Sequence, residues 1–354
     1  MSLGKKKMLS QGAAGGVVAR DNFDLETYVG NNSSRSFSNF NFQPDLIWFK
    51  TYSHAFLHQI YNSVRGANLF LNTGVGAIGS RTGTESEFNS SGGDLISFDN
   101  DGFSVGADVF GSVNSSGFDN IAWCWKAGGA AVSNTDGSIT SQVSANTDAG
   151  FSISTFTSNA STLTVGHGLN STPDLVIVKA TSFTDSWFVN LIGLTNRTNR
   201  ALRLNQSSGE ETGSGFWNNT APTSTTFSLG NGVSVSGQSY VAYCFHSVAG
   251  YSKIGSYTGT GGALTVYTTD NGTSTGANGF QPKFVMIKRA DNTGNWVIID
   301  ELRASGGSRL YANLSNAEDA GQGESFVSNG FKPRQSSTAD TNISGGTYIY
   351  MAFA

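Results

Sequence analysis

The side chains able to do chemistry near neutral pH are few and scattered. The chain holds four histidines, His54, His58, His167 and His246, and two cysteines, Cys124 and Cys244. His54 and His58 are four apart, a spacing that puts two imidazoles on one helical face. No cysteine or third histidine lies near them, so no metal site is expected, and surface or partly buried imidazoles are the preferred reading. His167 sits in the loop string GHGLNSTPD. The cysteines lie in the apolar runs IAWCW and VAYCF and read as buried thiols acting as small hydrophobes; whether they pair is left open.

Neighbouring carboxylates occur as Glu85/Glu87, Asp99/Asp101, Glu210/Glu211 and Asp300/Glu301. Glycoside hydrolysis needs two carboxyl groups facing across a sugar, and adjacency in sequence does not supply that. Asp99 and Asp101 fall in a turn signal. The chain contains no HExxH or Walker sequence. No catalytic residue and no cofactor is expected, and the chain reads as a non-enzyme.

Two further sets invite a binding reading. Lys50, Lys179 and Lys288 end three similar strings and read either as strand-end charges that snorkel past apolar neighbours or as a repeated ligand contact; the first is preferred. Trp187, Trp217 and Trp296 are candidate glycan contacts, since an indole offers an apolar face and a polar handle, although packing is the preferred role for each.

These residues are positioned by an internal repeat. QPDLIWFK ends at Lys50, TPDLVIVK at Lys179 and QPKFVMIK at Lys288. Pro44, Pro173 and Pro282 hold the same offset to the lysines. Proline at a strand mouth costs no ladder bond, and the apolar run behind it reads as a buried strand. Aromatics follow: Phe56 with His58, Trp187 with Phe188, then Trp296. Next come GANLFLNT, RALRLNQ and SRLYANLS, then DGFSVG, TTFSLG and NGFKPR. Each copy closes on NIAWCWKAGG, YVAYCFHSVAG or TYIYMAFA, which aligns Cys124 and Cys244 with Ala352. The openings FDLETYVGNNSSRS, AGFSISTFTSNAS and AGYSKIGSYTGTG alternate as half-buried strands do.

The repeat places module one at 21–129, module two at 149–248 and module three at 249–354, with a polar linker at 130–148 and an arm at 1–20. Short β-prone segments split by Gly, Asn, Ser and Thr predict an all-β chain: three tandem β-sandwich modules, jelly-roll or concanavalin-like, behind an extended N-terminal arm. The closing strands should lie mid-sheet. The best helical stretches start near Ser53 and Asn316.

Composition narrows the classes. Charged residues are 13%, about half the usual share, and the net charge of -4 argues against bulk nucleic-acid binding. Aromatics at 12% argue against disorder. No run of apolar residues is long enough to span a membrane, and no secretory signal opens the chain. The arm is the local exception: Lys5, Lys6, Lys7 and Arg20 without an acidic residue, an attachment element that orders on a partner.

The strings PDLIWFK, SVRGANLFLNT, SFDNDGFSVG and AWCWKAGG, with FWNNTAPTSTTFSLG and YVAYCFHSVAGYSKIGSYTGTG, resemble a repeated β-module of structural and tail-fibre-like proteins of marine tailed bacteriophages, cyanophage-like. The third module departs from the pattern at NGFKPR and TYIYMAFA. The resemblance implies a virion protein of the tail fibre or tail. Its arm would bind other virion proteins and its modules would project, the distal ones meeting a host surface glycan. It implies a homo-oligomer, a trimer for a fibre. No membrane insertion and no specific nucleic acid are expected. The alternatives are a capsid decoration or tail-tube-associated protein without a receptor role, and a polysaccharide-degrading tail spike.

Overall fold

The computed structural model describes residues 16–73, 88–89, 93–303, 307–334 and 340–354. Within them the chain is almost entirely antiparallel β-structure, with one four-residue α-helix, Ser214–Trp217. The expected stretches at Ser53 and Asn316 are not helical. Ser53 lies in a turn at 52–55 that leads into the strand Gln59–Asn62, and the residues around Asn316 form a loop. A short isolated helix is marginal, and sheet pairing of Ile60 with Trp48 wins.

The three repeats build three equivalent sheets. The opening strands are Phe23–Val29, Phe151–Thr157 and Ser252–Thr258. Each pairs with a closing strand, Asp119–Trp125, Ser239–Phe245 or Thr347–Phe353. The closing strand then pairs with the proline-headed strand, Leu46–Thr51, Leu175–Ala180 or Phe284–Arg289. Two more strands follow outward in every copy, and a third, two-residue strand follows them in the first two. The closing strand therefore lies inside the sheet, as its apolar run implies. Register is also kept: Trp48 faces Trp123 where Ile177 faces Tyr243 and Met286 faces Met351.

A small second sheet covers one face of each large one. It is made from the DGFSVG-type strand and its neighbours: Gly102–Val105, Thr226–Leu229 and Gly330–Lys332. Gly102 opens its strand with φ of 154°, and a Cβ there would lie 1.7 Å from the Phe37 carbonyl oxygen; only glycine fits so close a backbone. Between the sheets each module has its own core. Phe49, Phe103 and Cys124 belong to the first, Val178, Phe227 and Cys244 to the second, and Ile287, Phe331 and Ala352 to the third. Cys124 and Cys244 are free and buried in different cores.

The other face of every large sheet is apolar too. Trp123 and Trp125, Tyr243 and Phe245, and Met351 and Phe353 alternate with the residues just named and meet in one central core shared by all three modules. Burial on both faces explains why the closing strands are continuously apolar rather than alternating. The three modules therefore pack around one another. At about 25 cal/mol per Å² of apolar surface removed from water, separating them would expose three aromatic-rich faces.

The linker is corrected as well. Residues 130–148 carry the strands Val132–Asn134 and Ser141–Asn146, which extend module two's sheet to eight strands. Ile139 and Val143 are buried there, enough apolar anchoring in ITSQVSAN to hold a polar segment in the ladder. Of the arm, residues 1–15 lie outside the described residues. Val17 and Ala19 pack against the central core, and Arg20 donates to Asn41 Oδ1 at 3.2 Å, so the described end of the arm lies on the body.

Candidate functional site

The residues singled out by the repeat converge at the boundaries between modules. Register places His58, Trp187 and Trp296 at the same point, beside Lys50, Lys179 and Lys288 on the neighbouring strand. Trp187 Nε1 of module two donates to the Asn72 carbonyl of module one at 2.7 Å. Trp296 Nε1 of module three donates to the Arg203 carbonyl of module two at 2.9 Å. His58 Nε2 of module one lies 3.1 Å from the Tyr311 carbonyl of module three. Asn72, Arg203 and Tyr311 are themselves equivalent, each paired with the residue after the donor. Three equivalent contacts thus run one to three, three to two and two to one, and close a ring.

His58 performs the indole's role with a second bond. Its Nδ1 accepts from Trp48 Nε1 at 2.8 Å, so the proton belongs on Nε2, where it points at Tyr311. Burial, reinforced by the charge of Lys50, holds its pKa well below the usual histidine value, and the ring stays neutral as both bonds require.

The lysines do not snorkel: all three are fully buried. Lys50 Nζ bonds the carbonyls of Phe56 (2.6 Å), His54 (3.2 Å) and, across the boundary, Ser315 of module three (3.1 Å). Lys288 Nζ reaches the equivalent Ser207 of module two at 3.2 Å and the Arg289 carbonyl. Lys179 Nζ bonds the Ala180 carbonyl at 2.6 Å; the place in module one equivalent to Ser207 and Ser315 lies outside the described residues. Burial lowers Lys50 and Lys288 to about 7 and Lys179 to about 8. Their bonds to main-chain carbonyls serve as strand-end and boundary fastenings.

The glycan reading of the tryptophans is corrected by the same geometry. Trp187, Trp217 and Trp296 are 0%, 1% and 2% exposed. Trp217 Nε1 donates to the Arg200 carbonyl at 2.8 Å inside module two. None leaves a ring face for a sugar.

Asp99, Glu210, Glu211 and Asp300 are each held by a partner outside their own pair. Asp99 accepts from the Ser97 and Ser104 hydroxyls, and Asp101 lies in the turn between Leu95–Asp99 and Gly102–Val105. Glu211 pairs with Arg203 at 2.9 Å and Glu210 faces Arg200 at 3.7 Å. Asp300 is buried against Arg303 at 2.6 Å, and Arg303 also holds Glu318 at 2.9 Å. The Glu318 amide donates to the Tyr52 carbonyl, so this ion pair lies on the boundary between modules three and one. Glu85 and Glu87 lie outside the described residues.

The remaining histidines are separate. His54 stacks on Phe118 with ring centroids 3.7 Å apart, and His167 Nε2 lies 3.3 Å from the Thr223 carbonyl, burial lowering its pKa to about 4. Among the described residues no group of three or more His, Cys, Asp or Glu is placed to hold a metal, and no helix is long and apolar enough to cross a membrane.

Where the arm reaches the body, the junctions of the modules surround a cleft of about 960 Å³. Gly16, Asp21, Lys126, Asp148 and Val248 are on its wall. Lys5, Lys6 and Lys7 lie outside the described residues. The carbonyl acceptors of the ring were not singled out from the sequence, although they lie in the aligned strings GANLFLNT, RALRLNQ and SRLYANLS.

The family described as Domain of unknown function (DUF7483) matches residues 19–354, the whole described body, and the chain belongs to it. No curated protein and no solved structure matches the chain.

Proposed function

We propose that this member of the DUF7483 family is a non-enzymatic structural protein of a tailed-phage virion, a tail fibre or tail-associated protein held by its N-terminal arm. The observation behind the reading is the ring: His58, Trp187 and Trp296, with Lys50 and Lys288, spend their polar atoms on main-chain groups at module boundaries. Groups that would bind or react in an enzyme serve here as fastenings. A part that transmits load needs this kind of closure. In this reading the threefold arrangement that a fibre draws from three chains is supplied within one, and the arm with its cleft at the module junctions forms the attachment end.

A second reading, a capsid decoration or tail-tube-associated protein without a receptor role, is favoured by the burial of Trp187, Trp217 and Trp296, which removes the clearest host-glycan contacts. The test is quantitative mass spectrometry and antibody labelling of gradient-purified particles. Constant copy number with label on the tail supports the first reading, label over the capsid the second. Absence from particles overturns both.

A further inference from the structure

One polar site in module one takes no part in the ring. Asp94 precedes the strand Leu95–Asp99, is fully buried and has a left-handed backbone with φ of 51°. Its Oδ1 accepts from the Val109 amide at 2.8 Å. Its Oδ2 is buried and makes no conventional donor–acceptor bond. The next carboxylate is Asp108, whose oxygens accept from the amides of Phe110 (3.0 Å) and Gly111, the Asn114 amide (3.1 Å) and the Ser115 hydroxyl (2.6 Å). The amides that hold the two carboxyl groups, Val109 and Phe110, are consecutive, which brings Asp94 and Asp108 side by side.

Two acceptor-only groups cannot bond each other unless one carries a proton. The third module shows the other solution. The residue immediately before its strand Ser325–Val327 is Glu324, also a buried carboxylate, and Arg309 Nε donates to it at 2.9 Å. Among the described residues no such cation meets Asp94. The groups around it are Asp108 on the 106–118 loop, the Tyr28 phenol on the opening strand, and Arg35 beyond it. Tyr28 donates to the Val113 carbonyl of the same loop. Arg35 lies over the Tyr28 ring at 5.4 Å and donates to the Val29 carbonyl.

We infer that Asp94 and Asp108 share one proton, and that its loss as pH rises releases the 106–118 loop of module one. The arrangement satisfies every atom: Val109 donates to Asp94 Oδ1, and protonated Asp94 Oδ2 donates to an Asp108 that stays ionised under four donors. Burial raises Asp94 to about 7. Burial also pushes Asp108 upward, but the Ser115 hydroxyl, Asp94 and the amides of Gly111 and Asn114 outweigh it and hold that carboxyl below its ordinary value. In the open loop Asp94 titrates at the ordinary carboxylate value. The closed state therefore holds a proton that the open state lacks between about pH 4 and pH 7. Closure is strongest below that window and has lost the proton's contribution above it. The inference does not depend on the virion role.

The test is hydrogen exchange of the 106–118 amides in the full chain from pH 4.5 to 8, corrected for intrinsic rates and referenced to module three's closing strand. The opening constant should rise by up to about tenfold per pH unit toward pH 7 and then level. Asp94→Asn, which keeps a donor toward Asp108 without a titrating proton, should flatten the profile. A flat profile in the unaltered protein overturns the proposal. Should the variant not fold, 13C titration of aspartate carboxyls in the unaltered protein decides: one carboxyl titrating near 7 supports sharing, and all titrating below 5 overturns it. Reclosure of the loop at pH 8 on adding millimolar calcium would overturn it in favour of a bound ion.

Discussion

The indole N–H of Trp187 in module two donates to the main-chain carbonyl of Asn72 in module one across 2.7 Å. Its counterparts, Trp296 to Arg203 and His58 to Tyr311, complete the circuit. Trp187→Phe removes the donor and leaves a buried carbonyl unpaired, which should cost about 1–3 kcal/mol. Trp296→Phe should cost the same, and His58→Phe more, because it also strips the acceptor of Trp48 Nε1. Urea midpoints at unchanged m-value check this. No loss in any of the three would mean that the contacts fasten nothing.

The buried lysines predict a pH dependence with a definite sign. Lys50 and Lys288 are lowered to about 7 and Lys179 to about 8. Between those values and about 10.4 the unfolded chain binds protons that the folded chain does not. Stability therefore rises with pH through that window, and the cost of burying the charge is fully present below it. Lys288→Met should reduce the slope of unfolding free energy between pH 7 and 9.5 by about 1 kcal/mol per pH unit. An unchanged slope would show that the carbonyls around Nζ keep the ammonium charged.

Cys124 and Cys244 belong to different module cores and are free; burial pushes both thiols upward. They should not react with a thiol reagent until the protein unfolds, and then both should react. Cys244→Ala should cost no more than about 1 kcal/mol, because Ala352 already fills the equivalent place. Fast native labelling of either thiol would contradict the assigned burial.

Much of the fold was legible because the repeat keeps register. The offset from Pro44, Pro173 and Pro282 to the lysines marks three strands that pair alike with three closing strands. What was not legible follows from physics too. The partners of Trp187, Trp296 and His58 are main-chain carbonyls, which carry no residue signature, so aligned strings could not show that they join one module to the next. Ser141–Asn146 looked like linker because only Val143 and nearby Ile139 anchor it. The apolar run IAWCW signalled a strand buried on both faces, and its second face could only be assigned once Trp123 and Trp125 were seen against Phe284 and Phe353 of module three. Asp94 and Asp108 are fourteen residues apart in sequence, and only the pairing of Leu95 with Val105 brings them together.

The central claim is that the three repeats form one body around a shared core. Differential scanning calorimetry of the full chain tests it most directly. The ring predicts a single transition whose calorimetric enthalpy equals its van't Hoff enthalpy, with Trp187→Phe lowering the temperature of the whole transition. Three resolved transitions, with the substitution shifting only module two's, would contradict it.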